Sequence, residues 1–228
     1  GISFAYQLYM ASHFEGRNWT RALVQRTSRS TSGVTAALSR LGSTKTFSDT
    51  FKSWMVATRV NDVNTGDGEE FSYPFKSYPY GSFQTKLLGS HADIPVETTK
   101  QLRSWAPKTY RFVASPDGSK TYRLKLSLST GTAMVAFYAE TPGHKNVVFI
   151  PFTGSEAVYD ITGWGSSYQA FQLIMASSKV SDLSIKLDIL DLDPPITDIG
   201  VSPMGPDGID GWYKTQPKVT LKTESGAD

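Results

Sequence analysis

The segment "TYRLKLSLS", residues 121–129, alternates apolar and polar side chains at every second position. A period of two is typical of a β-strand with one face buried and the other in water. The same alternation occurs in "SDLSIKLDIL", residues 181–190, and turn sequences such as "SPDGSK" and "TPGHKN" lie among further strand-like segments. Several short strands without helices between them predict an antiparallel β-sandwich of jelly-roll-like type.

The N-terminal part of the chain has a helical pattern instead. In "TFSDTFKSWMVATRVND", residues 46–62, apolar side chains recur at three- and four-residue spacing. Thr46 followed three residues later by Asp49 has the form of a capping box. Three shorter upstream segments share the helical spacing, and Gly16 and Gly42 are suitable helix ends. The sequence therefore predicts an α+β fold, in which a small N-terminal helical bundle precedes the sandwich.

Changes in composition divide the chain into four predicted parts. Residues 1–62 are the helical subdomain, and residues 63–101 are a connector rich in Tyr and Pro. Residues 102–193 are the predicted sandwich. Residues 194–228 are a linker rich in Pro and Gly, followed by one strand, "PKVTLKT", for which we predict no pairing partner.

The overall composition excludes several classes of function. The 228 residues carry 23 basic and 21 acidic side chains, a net charge of +2, and no basic run, so no nucleic-acid partner is expected. No apolar run approaches the ~20 residues of a membrane-spanning helix. The absence of cysteine excludes disulfides, thiol catalysis and Cys-ligated zinc.

No catalytic motif is present in the sequence. No two of the three histidines, His13, His91 and His144, are four residues apart, so the zinc motif His-Glu-x-x-His is absent. A Gly-x-Ser-x-Gly nucleophile elbow is also absent. His13, near the end of a predicted helix, fits either the wall of an active site or a half-buried core histidine. We predict no catalytic residue, and we expect the chain alone to be inactive.

Two acidic segments are candidates for calcium binding, because oxygen ligands on alternate residues of a flexible loop suit that ion. One is "NDVNTGDGEE", residues 61–70, and the other surrounds the start of the predicted linker. An acidic turn in solvent explains the first segment equally well, and outward-facing strand residues explain part of the second. The candidate ligands are Asp62, Asn64, Asp67, Glu69, Asp191 and Asp193, with Asp188 and Asp198 beside the second group.

Three aromatic residues are candidates for a ligand-binding surface: Trp105, Trp164 and Tyr168. Flat aromatic rings stack on the apolar C–H faces of sugars, so together they would form a platform for carbohydrate. The segment "GWGSSY", residues 163–168, fits a structural corner of the sandwich equally well, in which case its rings would be buried.

Four segments resemble parts of one family of secreted bacterial enzymes. Residues 47–62 resemble the last helix of the catalytic unit in zincin-type zinc metallopeptidases of the gluzincin or immune inhibitor A-like kind. "ISFAYQLYMASHFEG", residues 2–16, is similar to the helix that follows their metal site, and residues 159–190 look like the jelly-roll module fused behind it. Residues 202–225 are similar to the opening of bacterial Ig-like repeats. The positions carrying the helical and Ig-like resemblance are Phe47, Phe51, Trp54, Ala57, Asn61, Asp62, Pro206, Asp207, Gly208, Gly211, Trp212 and Tyr213.

This resemblance implies a non-catalytic C-terminal piece of a secreted or cell-surface metallopeptidase. The zinc would be bound upstream of Gly1, and this piece would hold none. The helices would then complete the catalytic unit by burying their Phe and Trp side chains against that upstream subdomain, which is the implied partner. The alternative function is a carbohydrate- or cell-wall-binding sandwich with a helical cap. The implied external partners are thus a polysaccharide or a protein substrate.

Overall fold

The computed structural model describes residues 2–25, 30–60, 71, 86–113, 120–141, 145–190, 196–202 and 204–224. The chain forms two compact units, Gly1–Leu190 and Asp191–Asp228. The first unit contains four helices followed by nine strands, and the second contains two strands, as far as the described residues extend.

The helices confirm the predicted N-terminal bundle. They are α1 (Ile2–His13), α2 (Gly16–Val24), α3 (Ser30–Arg40) and α4 (Phe47–Val60). The capping box of α4 is formed: the backbone N–H of Thr46 donates to Asp49 Oδ2 at 2.8 Å, and the backbone N–H of Asp49 donates to Thr46 Oγ1 at 3.3 Å. None of the described helices is long and apolar enough to cross a membrane.

Nine strands form the two sheets of a β-sandwich, as predicted. They are β1 (Lys86–Ser90), β2 (Val96–Leu102), β3 (Lys108–Val113), β4 (Thr121–Leu128), β5 (Ala133–Glu140), β6 (Lys145–Ile150), β7 (Glu156–Ile161), β8 (Ala170–Ser177) and β9 (Ser181–Leu190). One sheet has the order β1-β3-β8-β5-β6 and the other β2-β9-β4-β7. Every pair within the two sheets is antiparallel except β1 with β3, which is parallel.

The order of the strands suits a jelly-roll-like sandwich. From β2 to β9 the chain passes from one sheet to the other at each connection except the β5–β6 hairpin. The two layers are β3-β8-β5-β6 and β2-β9-β4-β7, and β1 is added beside β3. Jelly rolls have this arrangement of two four-stranded sheets.

Two hydrophobic cores lie on the two faces of the five-stranded sheet. The core between the sheets contains the predicted inward face of β4, from Tyr122 to Leu128, packed with Phe112, Phe137 and Phe171. The second core joins the helices to the opposite face of the five-stranded sheet. Strand β5 contributes to both, which explains its nearly continuous apolar sequence, because a strand covered on both faces loses the polar alternation.

The chain's own residues bury two of the aromatic side chains that we expected an upstream subdomain to cover, and whether such a partner exists stays a prediction. Phe51 and Trp54 of α4 are buried in the same cluster as Ile174 and Ala176 of β8. The helical face that we assigned to an upstream subdomain is therefore covered by the chain's own sheet. The sequence pattern correctly identified a buried face but could not identify what buries it.

The predicted connector and linker contain strands that the sequence pattern missed. Strand β1 and all of β2 except Leu102 lie within residues 63–101, and Phe71 in the same segment is buried against the helical core. In the second unit, β10 (Ile196–Ser202) lies within the predicted linker and pairs antiparallel with β11 (Lys218–Glu224). The segment "PKVTLKT" thus has a partner after all. Its partner was missed because the Gly and Pro residues around β10 were interpreted as linker signals.

Candidate binding cleft

A cleft of about 290 Å³ opens between β6 and β7. These are the outermost strands on one side of their respective sheets, and they contact each other only along part of their length. The cleft is lined by Phe137, Ala139, Asn146, Val147, Val148, Tyr159, Thr162 and Tyr168.

The cleft forms because the sandwich core is left open at this edge. In β7, Ala157 and Ile161 are buried, and Tyr159 between them shares their inward orientation but remains partly exposed. In β6, Ile150 is buried, whereas Val148 on the same face is 38% exposed. The two sheets thus close tightly at one end of these strands and separate at Tyr159 and Val148.

Three aromatic rings form the wall of the cleft. The ring of Phe137 lies 5.1 Å from that of Tyr159 and 6.1 Å from that of Tyr168, measured between centroids. The Tyr168 hydroxyl donates a hydrogen bond to the Thr162 carbonyl oxygen at 3.0 Å, which fixes the ring. The edge-to-face and tilted contacts are favourable geometries for aromatic side chains.

The loop that presents Tyr168 is held in place by its own backbone. The Ser167 N–H donates to the Gly163 carbonyl at 2.7 Å, and the Gly165 N–H donates to the Tyr168 carbonyl at 2.7 Å. Gly163 has a φ of 73°, and a Cβ at this position would lie 2.8 Å from Ser167 Oγ. The loop therefore requires glycine here.

The groups that line the cleft are electrically neutral. Burial raises the pKa of Tyr168, and the neighbouring Tyr159 raises it further. Burial also raises the pKa of Tyr159, so both phenols keep their protons at neutral pH. Among the described lining residues there is no acid, base or histidine. Asp160, next to Tyr159, lies on the opposite face of β7, where it accepts hydrogen bonds from Arg123 at 2.8 and 2.7 Å.

This arrangement suits an uncharged ligand with both apolar faces and hydroxyl groups. The partly exposed ring of Tyr159 supplies flat apolar contact area, while the Asn146 amide, the Thr162 hydroxyl and the Tyr159 phenol supply hydrogen-bonding groups. The exposed lining is more polar than apolar, and the volume is just below the usual range of small-molecule sites, about 300–1,000 Å³.

The structure separates the three aromatic residues that the sequence grouped as a platform. Trp105 packs in the helical core, with its ring 4.7 Å from Phe47 and 5.2 Å from Phe51. Trp164 is 1% exposed and lies between the sheets, 4.8 Å from Tyr122. Only Tyr168 reaches the cleft. The alternative that the sequence left open, a structural corner with buried rings, therefore describes the position of Trp164.

The six candidate calcium ligands, Asp62, Asn64, Asp67, Glu69, Asp191 and Asp193, lie outside the described residues, so calcium binding stays a prediction. Asp188 lies on β9, with its Oδ2 3.7 Å from Lys186 Nζ. Within the part of the chain that the structure describes, no three acidic or histidine side chains are grouped as metal ligands.

His13 lies at the end of α1 and is half-buried. Its Nδ1 lies 2.9 Å from Ser12 Oγ and 2.9 Å from the Tyr9 carbonyl oxygen, and its ring packs on Tyr9 with centroids 4.2 Å apart. This position agrees with the structural interpretation of the residue.

Sequence inspection missed most of the cleft, in particular Phe137, Tyr159, Asn146 and Thr162. One signal was available. In "EAVYDI", residues 156–161, the alternation places Tyr159 on the same face as Ala157 and Ile161, which predicts an inward-facing phenol. The phenol is accessible because β7 lies at the edge of its sheet. The position of β7 is known only from the strand order.

The sequence matches no protein-family model and, at a significant level, no curated protein. Among solved structures, the pre-peptidase C-terminal domain of a collagenase from Bacillus anthracis aligns at 7% identity with a TM-score of 0.37, covering 46% of this chain and 95% of that one. PliG from Salmonella Typhimurium, a periplasmic inhibitor of g-type lysozyme, aligns at 15% identity and a TM-score of 0.30, covering 46% and 99%. The CBM22-1–GH10 modules of Clostridium thermocellum xylanase 10B align at 9% identity and a TM-score of 0.24, covering 35% and 18%. TM-scores this low do not establish a common fold.

Proposed function

We propose that this chain is a non-catalytic binding module whose β6–β7 cleft holds a neutral carbohydrate. The observation that carries the proposal is the aromatic wall of the cleft, in which Tyr159 is partly exposed and its ring packs on Phe137, which also contacts Tyr168. Sugars combine apolar C–H faces with hydroxyl groups, and the lining residues offer complements to both. The helical layer packs on the other face of the five-stranded sheet, away from the cleft.

The described lining of the cleft carries no charged group, which favours a neutral sugar over an acidic one. The described lining residues include no cation that would attract an acidic polysaccharide. A carboxylate placed beside the partly buried phenols would lose hydration without a compensating partner. We therefore expect neutral polysaccharides to bind in preference to acidic ones.

The proposal has a direct test. Affinity electrophoresis against neutral polysaccharides, followed by titration calorimetry with oligosaccharides of the one retained, should show binding by the wild-type chain. Tyr159→Ala should weaken it at least about tenfold, or about 1.4 kcal/mol. Val158→Ala is the matched control, because Val158 is the adjacent residue on the outer face of β7.

Two outcomes contradict the carbohydrate proposal. One is a wild-type chain that no neutral polysaccharide retards. The other is equal retention of Tyr159→Ala and the wild type, which would place any binding surface elsewhere. Trp105→Ala distinguishes binding in the cleft from binding on the aromatic platform predicted from the sequence. Trp105 packs in the other core, so its loss should leave binding in the cleft unchanged.

The wider context that we propose is an accessory module of a secreted bacterial zinc metallopeptidase. Its support is the resemblance of residues 47–62, which include the whole of α4, to the last catalytic helix of zincin-type enzymes. The zinc would then belong to another part of the parent protein. A parent gene that encodes no His-Glu-x-x-His upstream of this segment would contradict this context, and it would leave the carbohydrate proposal intact.

A further inference from the structure

We infer that β6 pairs with β6 of a second copy of the chain, so that the protein associates as a two-fold dimer through the edge of its five-stranded sheet. The inference is independent of the proposed carbohydrate function, because it depends on the edge of the sheet and not on a ligand.

Strand β6 is an outer strand, and its central residues are apolar, whereas outer strands usually carry charges that prevent pairing with another chain. It is the last of the described strands in the five-stranded sheet, and residues 146–150, "NVVFI", contain no charged side chain. Val148 and Phe149, which face opposite sides of the sheet, are 38% and 37% exposed. Proteins normally protect such edges with charges, proline or bulges, because the free backbone N–H and C=O groups can pair with another strand.

The neighbouring edge strand β7 carries charges on both sides of its central residue, whereas the charge in β6 is at its first residue, Lys145. Glu156 and Asp160 flank the exposed Val158, which is 58% exposed. If two copies of β7 paired about a two-fold axis at Val158, Glu156 of each copy would lie opposite Asp160 of the other. Like charges directly opposite in a sheet are destabilising. At the far edge of the five-stranded sheet, β1 has an irregular register between Leu87 and Gly89, which also discourages pairing.

Strand β6 is complementary to itself in an antiparallel register. With the two-fold axis at Val148, Val147 lies opposite Phe149 of the second copy, and the same pair recurs on the other side of the axis. Aromatic and β-branched residues are favourable cross-strand neighbours. Lys145 falls opposite Pro151, so the register brings no two like charges together. A two-fold interface of this kind closes on itself and yields a dimer, not a fibre.

We therefore expect β6 to pair with a second copy of the chain and not with an unrelated peptide. In this register each strand places favourable side chains opposite those of the other, and no like charges meet. The pairing would extend one sheet through both copies.

Sedimentation velocity over a dilution series is the first test. The wild-type chain should show a concentration-dependent monomer–dimer equilibrium, and Val148→Lys should be monomeric throughout. Val158→Lys, which places the same charge on the edge of β7, should dimerise like the wild type. A wild-type chain that stays monomeric at every concentration, or a Val148→Lys variant that dimerises normally, would overturn the inference.

Cross-linking gives a second test that does not depend on a disruptive variant. The chain contains no cysteine, so Val148→Cys introduces a single thiol that would meet its own symmetry mate. Directly opposed residues of antiparallel strands have Cα atoms about 4.5–5.5 Å apart, within the range of a disulfide. Mild oxidation should convert Val148→Cys to a covalent dimer and leave Val158→Cys largely monomeric. Equal cross-linking of the two variants would refute pairing through β6.

Discussion

At the scale of single residues, Trp54 is the clearest case of packing without a polar partner. The side chain is fully buried, its ring lies 5.6 Å from Tyr6 and 5.2 Å from Phe51, and its Nε1 has no hydrogen-bond partner among the described residues. We expect Trp54→Ala to lower the free energy of unfolding by about 3–5 kcal/mol. Trp54→Phe should cost less than about 2 kcal/mol, because it keeps the ring contacts and removes an N–H whose burial costs about 1–3 kcal/mol.

Urea denaturation followed by circular dichroism measures both changes. Trp212 provides the control of the same residue type, because it is 76% exposed and Trp212→Ala should change the free energy by less than about 0.5 kcal/mol. If Trp54→Phe proves as costly as Trp54→Ala, the Nε1 group has a partner that contributes to stability.

Also at this scale, Glu140 gives the fold a dependence on pH. Burial raises the pKa of its carboxyl, but hydrogen bonds from Arg111 and Gln172 and the charge of Arg111 outweigh burial and hold the pKa below its usual value. Arg111 donates from both Nε and Nη2 to the two carboxylate oxygens, the Nη2 contact being 2.7 Å. The carboxylate therefore stabilises the fold above the unfolded pKa of about 4.3, and this contribution is lost as the pH falls through the folded pKa.

Because the ionised carboxylate of Glu140 stabilises the fold, Glu140→Gln should lower the stability only where that carboxylate is ionised. The variant should be less stable than the wild type by about 1 kcal/mol near pH 7, and the difference should disappear as the solution is acidified below the folded pKa. Urea midpoints measured as a function of pH show whether this occurs. Asp160→Asn removes the corresponding pair with Arg123 on the open face of the four-stranded sheet, where solvent screening should make the change smaller. A constant difference between Glu140→Gln and the wild type at all pH values would contradict the prediction.

At the scale of elements, the N-terminus of α4 shows a local sequence signal realised in three dimensions. The reciprocal hydrogen bonds of Thr46 and Asp49 satisfy backbone donors that the first turn leaves open. We expect Thr46→Ala to destabilise the chain by about 1 kcal/mol, and Thr46→Ser to have a smaller effect because it retains the hydroxyl. Thermal or urea unfolding measures both, and equal losses in the two variants would show that the methyl group and not the cap is responsible.

Sequence alone predicted the elements whose signals are local. The alternation in β4 and the capping box of α4 depend on neighbouring residues, and both were confirmed by the structure. Strand β10 was missed because nearby prolines and glycines outweighed its short β-branched pattern. The cleft was missed because accessibility of Tyr159 depends on β7 being an outer strand, which the strand order decides and no local pattern encodes.

At the scale of the whole molecule, the first unit is a three-layer body of helices, a five-stranded sheet and a four-stranded sheet. Its middle layer must be apolar on both faces, and this explains why Phe137 of β5 faces the other sheet while Ala136 and Tyr138 face the helices. The helical layer is therefore part of the hydrophobic core and not an appended cap. The described residues of both cores belong to the first unit.

This layering predicts opposite outcomes for two truncations. A chain that ends at Leu190 keeps every described residue of both cores, so its first unit should fold and unfold at the same temperature as in the full chain. A chain that begins at Lys86 loses all four helices and would expose the outward face of β5 and β8, including Met134, Ile174 and Ala176. We expect it to aggregate or to bind a hydrophobic dye strongly, since exposed apolar faces of this kind promote association. Scanning calorimetry and dye binding compare the two chains, and a soluble, cooperatively folding chain from Lys86 would show that the sheet does not need the helices to cover it.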